Sequence, residues 1–286
     1  MKILWQVSFR PFGKSKINDD IQKKFVENIK KMKADITLSV TQFDDYGVKN
    51  FLNRSNIKFK YFNIPKKKLP NGSKYSNSMM LINSINYFIT KNFDYFIFSN
   101  ADVFISKNII KILSKQMHTD YMGFIYPNTL IKNGRKHETL LPHYGIDFIA
   151  FKFSKKKVIH FLKLLNDYKQ YDWGVIDNFY ISVGDKLNLK FENLYKKIKL
   201  KKIENKFKDF KENRLWQVNS WNKNNFFFKK YLRKNNLSIL YAYGSYYYLL
   251  YKFFRVKDMN LDLFFIYLRF YLFLPISLIK KIFKRP

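Results

Sequence analysis

The first third of the chain alternates short apolar runs with longer segments of helical period, and this alternation restricts the fold more than any other feature. The strand-length runs are 3–9, 36–40, 57–64 and 95–98, and the segments with helical spacing are 17–33, 48–53 and 76–88. Strands that alternate with helices are typical of a parallel α/β sheet. Residues 1–105 are therefore predicted to form one Rossmann-like half, interrupted by a basic loop at 66–74.

The middle of the chain, 106–230, is less regular and predicts a mixed sheet with inserted loops. Strands are expected at 121–126 and 146–153, a helix at 155–165, and another helix after Asn178. The strongly basic stretch 193–213 is expected to be a solvated helix or loop. The predicted fold class for 1–230 is thus an α/β, Rossmann-like mixed sheet flanked by helices.

The C-terminal part, 231–286, changes character, because aromatic clusters there stand beside Lys and Arg. The apolar run 261–279 has about the length that crosses a bilayer, roughly 20 residues. It contains Asp262 and Arg269, and a charge at membrane depth costs roughly 2.5 to 3.5 kcal/mol. We expect a helical, membrane-associated extension that lies on the surface of an anionic leaflet. A buried helical hairpin that closes the core is the alternative.

The composition excludes several kinds of site. Cys is absent and only four His occur, without the spacing of a metal-binding pair, so disulfides and thiolate zinc sites are excluded. Lys+Arg number 54 against 21 for Asp+Glu, which gives a formal charge of +33 and favours an anionic partner. No nucleic-acid docking motif accompanies the charge, so no specific nucleic-acid partner is expected.

A polar triplet follows the fourth predicted strand at its carboxyl end. Asn100 and Asp102 flank Ala101 there, and ligands of open α/β sheets bind at this end of the strands. Two oxygen-bearing side chains two residues apart can hold one hard cation, which in turn neutralises a diphosphate. An Asx-turn that merely ends the strand is the alternative.

The residues around this triplet resemble a known enzyme family. Segment 74–85, followed by 94–102, resembles the helix, strand and DxD segment of GT-A fold glycosyltransferases such as glycosyltransferase family 2. Asp44 and Asp45 look like the acidic pair that holds the nucleotide base and ribose. The resemblance implies a nucleotide-diphosphate sugar as donor and a divalent cation, Mn²⁺ or Mg²⁺, held by Asp102 with Asn100 where the family has its first Asp.

Four more residues are expected at the donor site. They are Ser8, Arg10, Asn83 and Ala101. Arg10 follows the first strand and could reach the diphosphate, or it could make a surface salt bridge instead.

A second resemblance concerns the acceptor. Segment 143–151, followed by 171–178, is similar to the acceptor half of such enzymes, in which an acidic residue at a helix N-terminus deprotonates the acceptor hydroxyl. Asp177 is expected in this catalytic role, with Asp147 as the substitute. An N-cap function for Asp177 and a strand-end turn for Asp147 are the alternatives.

The remaining acceptor-site expectations are Trp173, Gly174, Asn178 and His143. The face of Trp173 could stack on a sugar ring, although an aromatic side chain at such a position also suits the core. His143 could contact phosphate or metal, or simply bond to nearby backbone.

These observations together predict a metal-dependent glycosyltransferase that builds a surface polysaccharide or lipopolysaccharide-type glycan on a glycan or lipid-linked acceptor. With no signal peptide at its N-terminus, it is expected in the cytoplasm, peripheral on the inner face of the cell membrane. The alternatives are a nucleic-acid-binding basic protein, a nucleotidyltransferase, and a catalytically degenerate member of the glycosyltransferase fold.

Overall fold

The structure is a computed structural model that describes residues 1–13, 15–42, 47–64, 77–125, 129–132, 135–138, 146–169, 176–194, 197–204 and 226–237.

Eleven strands and six helices are defined in the described residues up to 204, and a further helix covers 226–234. The strands are β1 (Lys2–Val7), β2 (Asp35–Gln42), β3 (Phe59–Asn63), β4 (Tyr95–Ser99), β5 (Val103–Ile105), β6 (Tyr121–Ile125), β7 (Thr129–Lys132), β8 (Arg135–Glu138), β9 (Phe148–Lys152), β10 (Lys190–Asn193) and β11 (Leu200–Glu204). The helices are α1 (Lys16–Lys30), α2 (Val48–Arg54), α3 (Asn77–Thr90), α4 (Asn108–Ser114), α5 (Lys155–Tyr168) and α6 (Ile176–Lys186).

A seven-stranded sheet forms the centre of the molecule. Its strand order is β10-β6-β9-β4-β1-β2-β3. All neighbouring strands run parallel except β9, which is antiparallel to both β4 and β6. The predicted fold class, a Rossmann-like mixed sheet with flanking helices, is therefore confirmed. Strands β1 to β4 and the helices between them lie close to their predicted positions.

Successive side chains of each strand point to opposite faces of the sheet, and helices cover both faces. On one face, Leu4 and Phe96 share a core with apolar residues of α3, α5 and α6. On the other face, Trp5 and Ile97 pack with residues of α1, α2 and α4. The loops lie at the two ends of the parallel strands, which are called the amino edge and the carboxyl edge of the sheet.

Helix α1 illustrates how local sequence signals position these layers. Ser15 is its N-cap, and its hydroxyl accepts a hydrogen bond from the Asn18 amide at 3.5 Å. Ile21, Phe25 and Ile29 recur at helical spacing and are buried against the sheet. The helix is thereby fixed to the face that carries Trp5.

A smaller four-stranded sheet has the strand order β5-β11-β7-β8. Its strands are interspersed along the chain with β6, β9 and β10 of the main sheet. Strand β11 runs antiparallel to β5 and parallel to β7. The prediction of a helix or loop throughout 193–213 is wrong for Leu200–Glu204, which form a strand. The high Lys content suggested a solvated segment, whereas backbone pairing with β5 and β7 determines the conformation.

A helix over 226–234 packs on the face that carries α5. The hydroxyl of Tyr231 donates a hydrogen bond to the Leu164 carbonyl at 3.2 Å, and its ring lies 5.3 Å from that of Tyr168. This helix crosses the boundary predicted at 230. The rest of the predicted C-terminal extension, including 261–279, lies outside the described residues. Among the helices that the structure describes, none is long and apolar enough to cross a membrane.

Candidate functional site

The candidate site lies at the carboxyl edge of the central strands. Strands β1 and β4 are parallel neighbours, with Gln6 opposite Phe98, so both strands end at the same edge. Arg10 follows β1 and Asn100 follows β4. The parallel pairing thus brings together two segments that are about 90 residues apart in the chain.

Asp147 reaches this edge because β9 runs in the opposite direction. Ser99, the last residue of β4, pairs with Phe148, the first residue of β9. Asp147 therefore stands directly beside Asn100, whose Nδ2 donates a hydrogen bond to Asp147 Oδ1 at 3.0 Å. Two residues that the sequence assigned to separate donor and acceptor roles are in direct contact.

Lys202 completes the cluster, although sequence reasoning did not identify it. Its Nζ lies 2.6 Å from Asp147 Oδ1, so this oxygen accepts hydrogen bonds from both Lys202 and Asn100. The side chains of Lys202 and Asp147 are only 17% and 5% exposed. No local pattern distinguishes Lys202 from its neighbour Lys201, because Lys is too common in this chain for a single one to stand out.

The position of Lys202 is set by the smaller sheet. Lys202 of β11 is in register with Val103 of β5, the residue that follows Asp102. The Ile203 amide donates to the Asp102 carbonyl oxygen at 3.1 Å. Lys202 is therefore held against the polar triplet by backbone hydrogen bonds and not only by its side chain.

Asp102 has its carboxyl group in a largely buried setting. Burial raises the pKa of Asp102 above its ordinary value, and the negative charge of Asp147 acts in the same direction. The positive charges of Lys202 and Arg10 act against this rise and favour the ionised form. Two carboxylates and two cations thus interact across the site.

Two carboxylate oxygens of the cluster are buried and accept no hydrogen bond from the residues that the structure describes. They are Asp102 Oδ1 and Asp147 Oδ2. A buried acceptor that lacks a donor costs about 1 to 3 kcal/mol. Such atoms are found where a ligand or an ordered water supplies the missing partner. The site therefore offers two acceptors to an incoming donor group.

Arg10 provides a second cation at the end of β1. Although much of the residue is accessible to solvent, burial of the guanidinium lowers the pKa of Arg10, and the charge of Asp102 partly offsets this change. The Arg10 backbone amide donates to Oε1 of the buried Gln22 on α1, which anchors the loop that carries it.

The triplet itself is anchored by Trp5. The indole Nε1 of Trp5 donates to Ser99 Oγ at 2.8 Å, and both side chains are buried. This bond joins the middle of β1 to the last residue of β4. Asn100 and Asp102 therefore leave the sheet from a rigid point, as a binding site requires.

The donor set does not fit the resident divalent cation that the resemblance implies. In the described part of the chain, no three His, Asp or Glu residues cluster to hold a metal ion. In nucleotide sites a hard cation is held by one or two carboxylates together with phosphate oxygens and water, and here one oxygen of Asp147 is already bonded to Lys202. An ion on Asp147 would lie about 4 Å from the ammonium, where charges of +2 and +1 repel by roughly 8 kcal/mol at an effective dielectric constant of about 20. The cation would have to displace Lys202.

The other predicted site residues have different placements. Asn178 lies in the first turn of α6 and is buried, and Asn83 is half-buried on α3. Ser8 follows β1, and Ala101 is buried within the triplet. Asp177 is in the first turn of α6, but its side chain lies outside the described part of the structure. Five predicted residues lie wholly outside it, namely Asp44, Asp45, His143, Trp173 and Gly174.

Several solved structures are similar to this chain. One is described as a nucleotide-diphospho-sugar transferase from Desulfovibrio desulfuricans (14% identity, TM-score 0.43, 71% of this chain and 81% of that one). Another is residues 1–349 of S. aureus TarS in complex with UDP-GlcNAc (13% identity, TM-score 0.43, 73% and 60%). A third is a cytidylyltransferase from Leptospira borgpetersenii (13% identity, TM-score 0.39, 68% and 75%). No protein-family model and no curated protein matches the chain.

Proposed function

We propose that the chain is a glycosyltransferase that moves a sugar from a nucleotide-diphosphate sugar to a glycan or lipid-linked acceptor. The observation that carries the proposal is the pairing of two kinds of group at one edge of the sheet. Lys202 and Arg10 are cations suited to a diphosphate. Asp102 Oδ1 and Asp147 Oδ2 are buried acceptors suited to sugar hydroxyls.

The reaction requires one bond to break and one to form. The bond between the anomeric carbon and the diphosphate oxygen breaks, and its electron pair stays on the diphosphate. The acceptor oxygen forms the new bond to that carbon, and its proton passes to a carboxylate. Cations near the diphosphate favour this step because negative charge grows there in the transition state.

Asp177 is the carboxylate that we assign to proton removal. Asp147 Oδ1 already accepts hydrogen bonds from Lys202 and Asn100, which makes Asp147 better suited to organising the donor side. Asp177 lies in the first turn of α6, the position that the resemblance implies for the base.

The acceptor and the location belong to the same proposal. A formal charge of +33 attracts the chain to anionic lipid, and the aromatic and basic residues 238–286 suit a headgroup boundary. We propose that the enzyme works on the inner face of the cell membrane in the assembly of a surface polysaccharide or lipopolysaccharide-type glycan.

A direct test is the product released from nucleotide sugars. We expect the purified chain to release a nucleoside diphosphate from at least one member of a panel that includes UDP-GlcNAc. Asp102→Asn should lower that rate about 100-fold or more, because an acceptor at the reacting centre is weakened. Asp35→Asn, which changes an exposed carboxylate at the opposite edge of the sheet, is the matched control.

The same assay separates the two transferase classes. A nucleotidyltransferase joins a nucleoside triphosphate to a phosphorylated sugar and releases pyrophosphate. Pyrophosphate release from a nucleoside triphosphate, with no nucleoside diphosphate formed from any nucleotide sugar, would replace our proposal with that activity. Absence of both products with intact folding would favour a degenerate, non-catalytic protein.

A further inference from the structure

We infer that Lys202 acts as a built-in cation in place of a divalent metal, so that the chain binds the diphosphate of its donor without Mn²⁺ or Mg²⁺. The inference rests on the proposed function. It comes from the disagreement between the metal expected at the Asn100–Asp102 turn and the ammonium that the structure holds there.

Lys202 is bonded to a carboxylate that a metal ion at this turn would also use. Lys202 Nζ lies 2.6 Å from Asp147 Oδ1, and its charge also acts on Asp102. A metal ion at the same turn would use these two carboxylates. The ammonium and the ion are therefore alternatives for one place, and in this chain the ammonium is covalently attached.

Backbone pairing also holds Lys202 rigidly in place. Lys202 lies on a strand that pairs with β5 immediately after Asp102, and the Ile203 amide bonds the Asp102 carbonyl at 3.1 Å. With its side chain only 17% exposed, Lys202 has little freedom left to lose when a ligand binds. A metal ion is useful because it is a fixed positive charge, and backbone pairing gives Lys202 the same property.

The charge of Lys202 does not depend on an unused donor. An ammonium keeps its positive charge while it donates to a carboxylate, so Lys202 can attract a diphosphate while its Nζ stays bonded to Asp147 Oδ1. Lysine is an established phosphate ligand that acts as a point charge. Arg10 adds a second cation from the end of β1, where its charge acts on Asp102. When the bond between the anomeric carbon and the diphosphate breaks, the electron pair remains on the diphosphate next to these charges. The leaving diphosphate therefore needs no proton, and the reaction involves no oxidant.

The experiment measures nucleoside diphosphate binding by calorimetry on the full chain, in EDTA and in Mn²⁺. Uridine, guanosine and cytidine diphosphates are the probes, and the tightest binder is used throughout. We expect the wild-type Kd in EDTA to lie within about threefold of that in Mn²⁺. Lys202→Met should weaken binding in EDTA about 10- to 100-fold, the range of a charge-assisted hydrogen bond.

Two further variants give the test its specificity. Lys201→Met alters the exposed neighbour on the opposite face of β11 and should leave Kd within about twofold. Lys202→Asp supplies a third carboxylate, so binding should disappear in EDTA and return in Mn²⁺. Circular dichroism of each variant confirms folding, and the wild-type arm decides the question even if a variant fails to fold.

Three outcomes would contradict the inference, and one of them would also contradict the proposed function. If wild-type binding is lost in EDTA and restored by Mn²⁺, the inference is overturned while the proposed transferase function stands. Equal weakening by Lys201→Met and Lys202→Met would also overturn it, because general charge would then explain the effect. If no diphosphate binds with or without Mn²⁺, both the proposed function and this inference fail.

Discussion

The two edges of the central sheet use aspartate in opposite ways. At the amino edge, Asp120 precedes β6, and its two oxygens face the Ser154 amide at 2.9 Å and the Lys157 ammonium at 3.1 Å. At the carboxyl edge, Asp102 and Asp147 each have a buried oxygen that accepts no hydrogen bond from the described part of the chain. Carboxylates whose oxygens are hydrogen-bonded stabilise a fold, whereas buried oxygens without a donor destabilise it until a ligand supplies one.

The electrostatics show the same contrast. Despite an opposing contribution from burial, hydrogen bonds from Ser154 and Lys157 lower the pKa of Asp120. Burial raises the pKa of Asp102, even with two cations nearby. Contacts at the amino edge favour the ionised form of Asp120, whereas burial at the carboxyl edge disfavours the ionised form of Asp102. Carboxyl groups with a raised pKa are frequent at functional sites.

The largest effect is expected for removal of Asp147. Asp147→Ala leaves Lys202 without its closest counter-charge in a buried place, which should lower the free energy of unfolding by about 2 to 3 kcal/mol. Urea unfolding measures the change. Asp35→Ala, which breaks the exposed pair with Lys58, should stay within about 0.5 kcal/mol. Similar losses in both variants would remove the distinction between the edges.

A second prediction tests the anchor of the carboxyl edge. Ser99→Ala deprives the buried Trp5 indole of its acceptor and should cost about 1.5 kcal/mol. Ser114→Ala removes an exposed hydroxyl that bonds the Lys111 carbonyl and should cost less than about 0.5 kcal/mol. Thermal unfolding of both variants gives the comparison, and a stable Ser99→Ala protein would show that the indole finds another acceptor.

A third prediction concerns pH at the amino edge. The folded pKa of Asp120 is lowered, so its stabilisation is present above the unfolded pKa, about 3.9, and is lost as the pH falls through the folded pKa. Asp120→Asn should therefore cost about 1 kcal/mol at pH 7 and progressively less below about pH 4. Urea titrations at several pH values measure this, and a loss that does not change with pH would contradict the assignment.

The smallest effect on stability, and the one of opposite sign, is expected for Asp102. Asp102→Asn replaces a carboxyl group whose ionised form is disfavoured by burial, so it should leave the free energy of unfolding unchanged or raise it by up to about 0.5 kcal/mol. Urea unfolding at pH 7 measures this beside the Asp147→Ala protein. A marked loss would show that Asp102 stabilises the fold as Asp120 does.

The fold of the first half was predictable because its signals are local. The apolar run 95–98 became β4 (Tyr95–Ser99), and the segment 17–33 became α1 (Lys16–Lys30). Strand β11 was not predictable in this way, because its five residues depend on partners about 70 to 100 residues earlier in the chain. Short strands of mixed composition are defined by pairing more than by their own propensity.

The alternating α/β order and the location of a polar turn after β4 can be predicted from the residues alone, since both follow from apolar periodicity and from the end of a buried strand. The contacts of Asp147 with Asn100 and of Lys202 with Asp147 depend on the three-dimensional structure. The antiparallel direction of β9 and the pairing of β11 with β5 bring these side chains together. Strand direction and register are settled by long-range packing, which no local pattern of residues records.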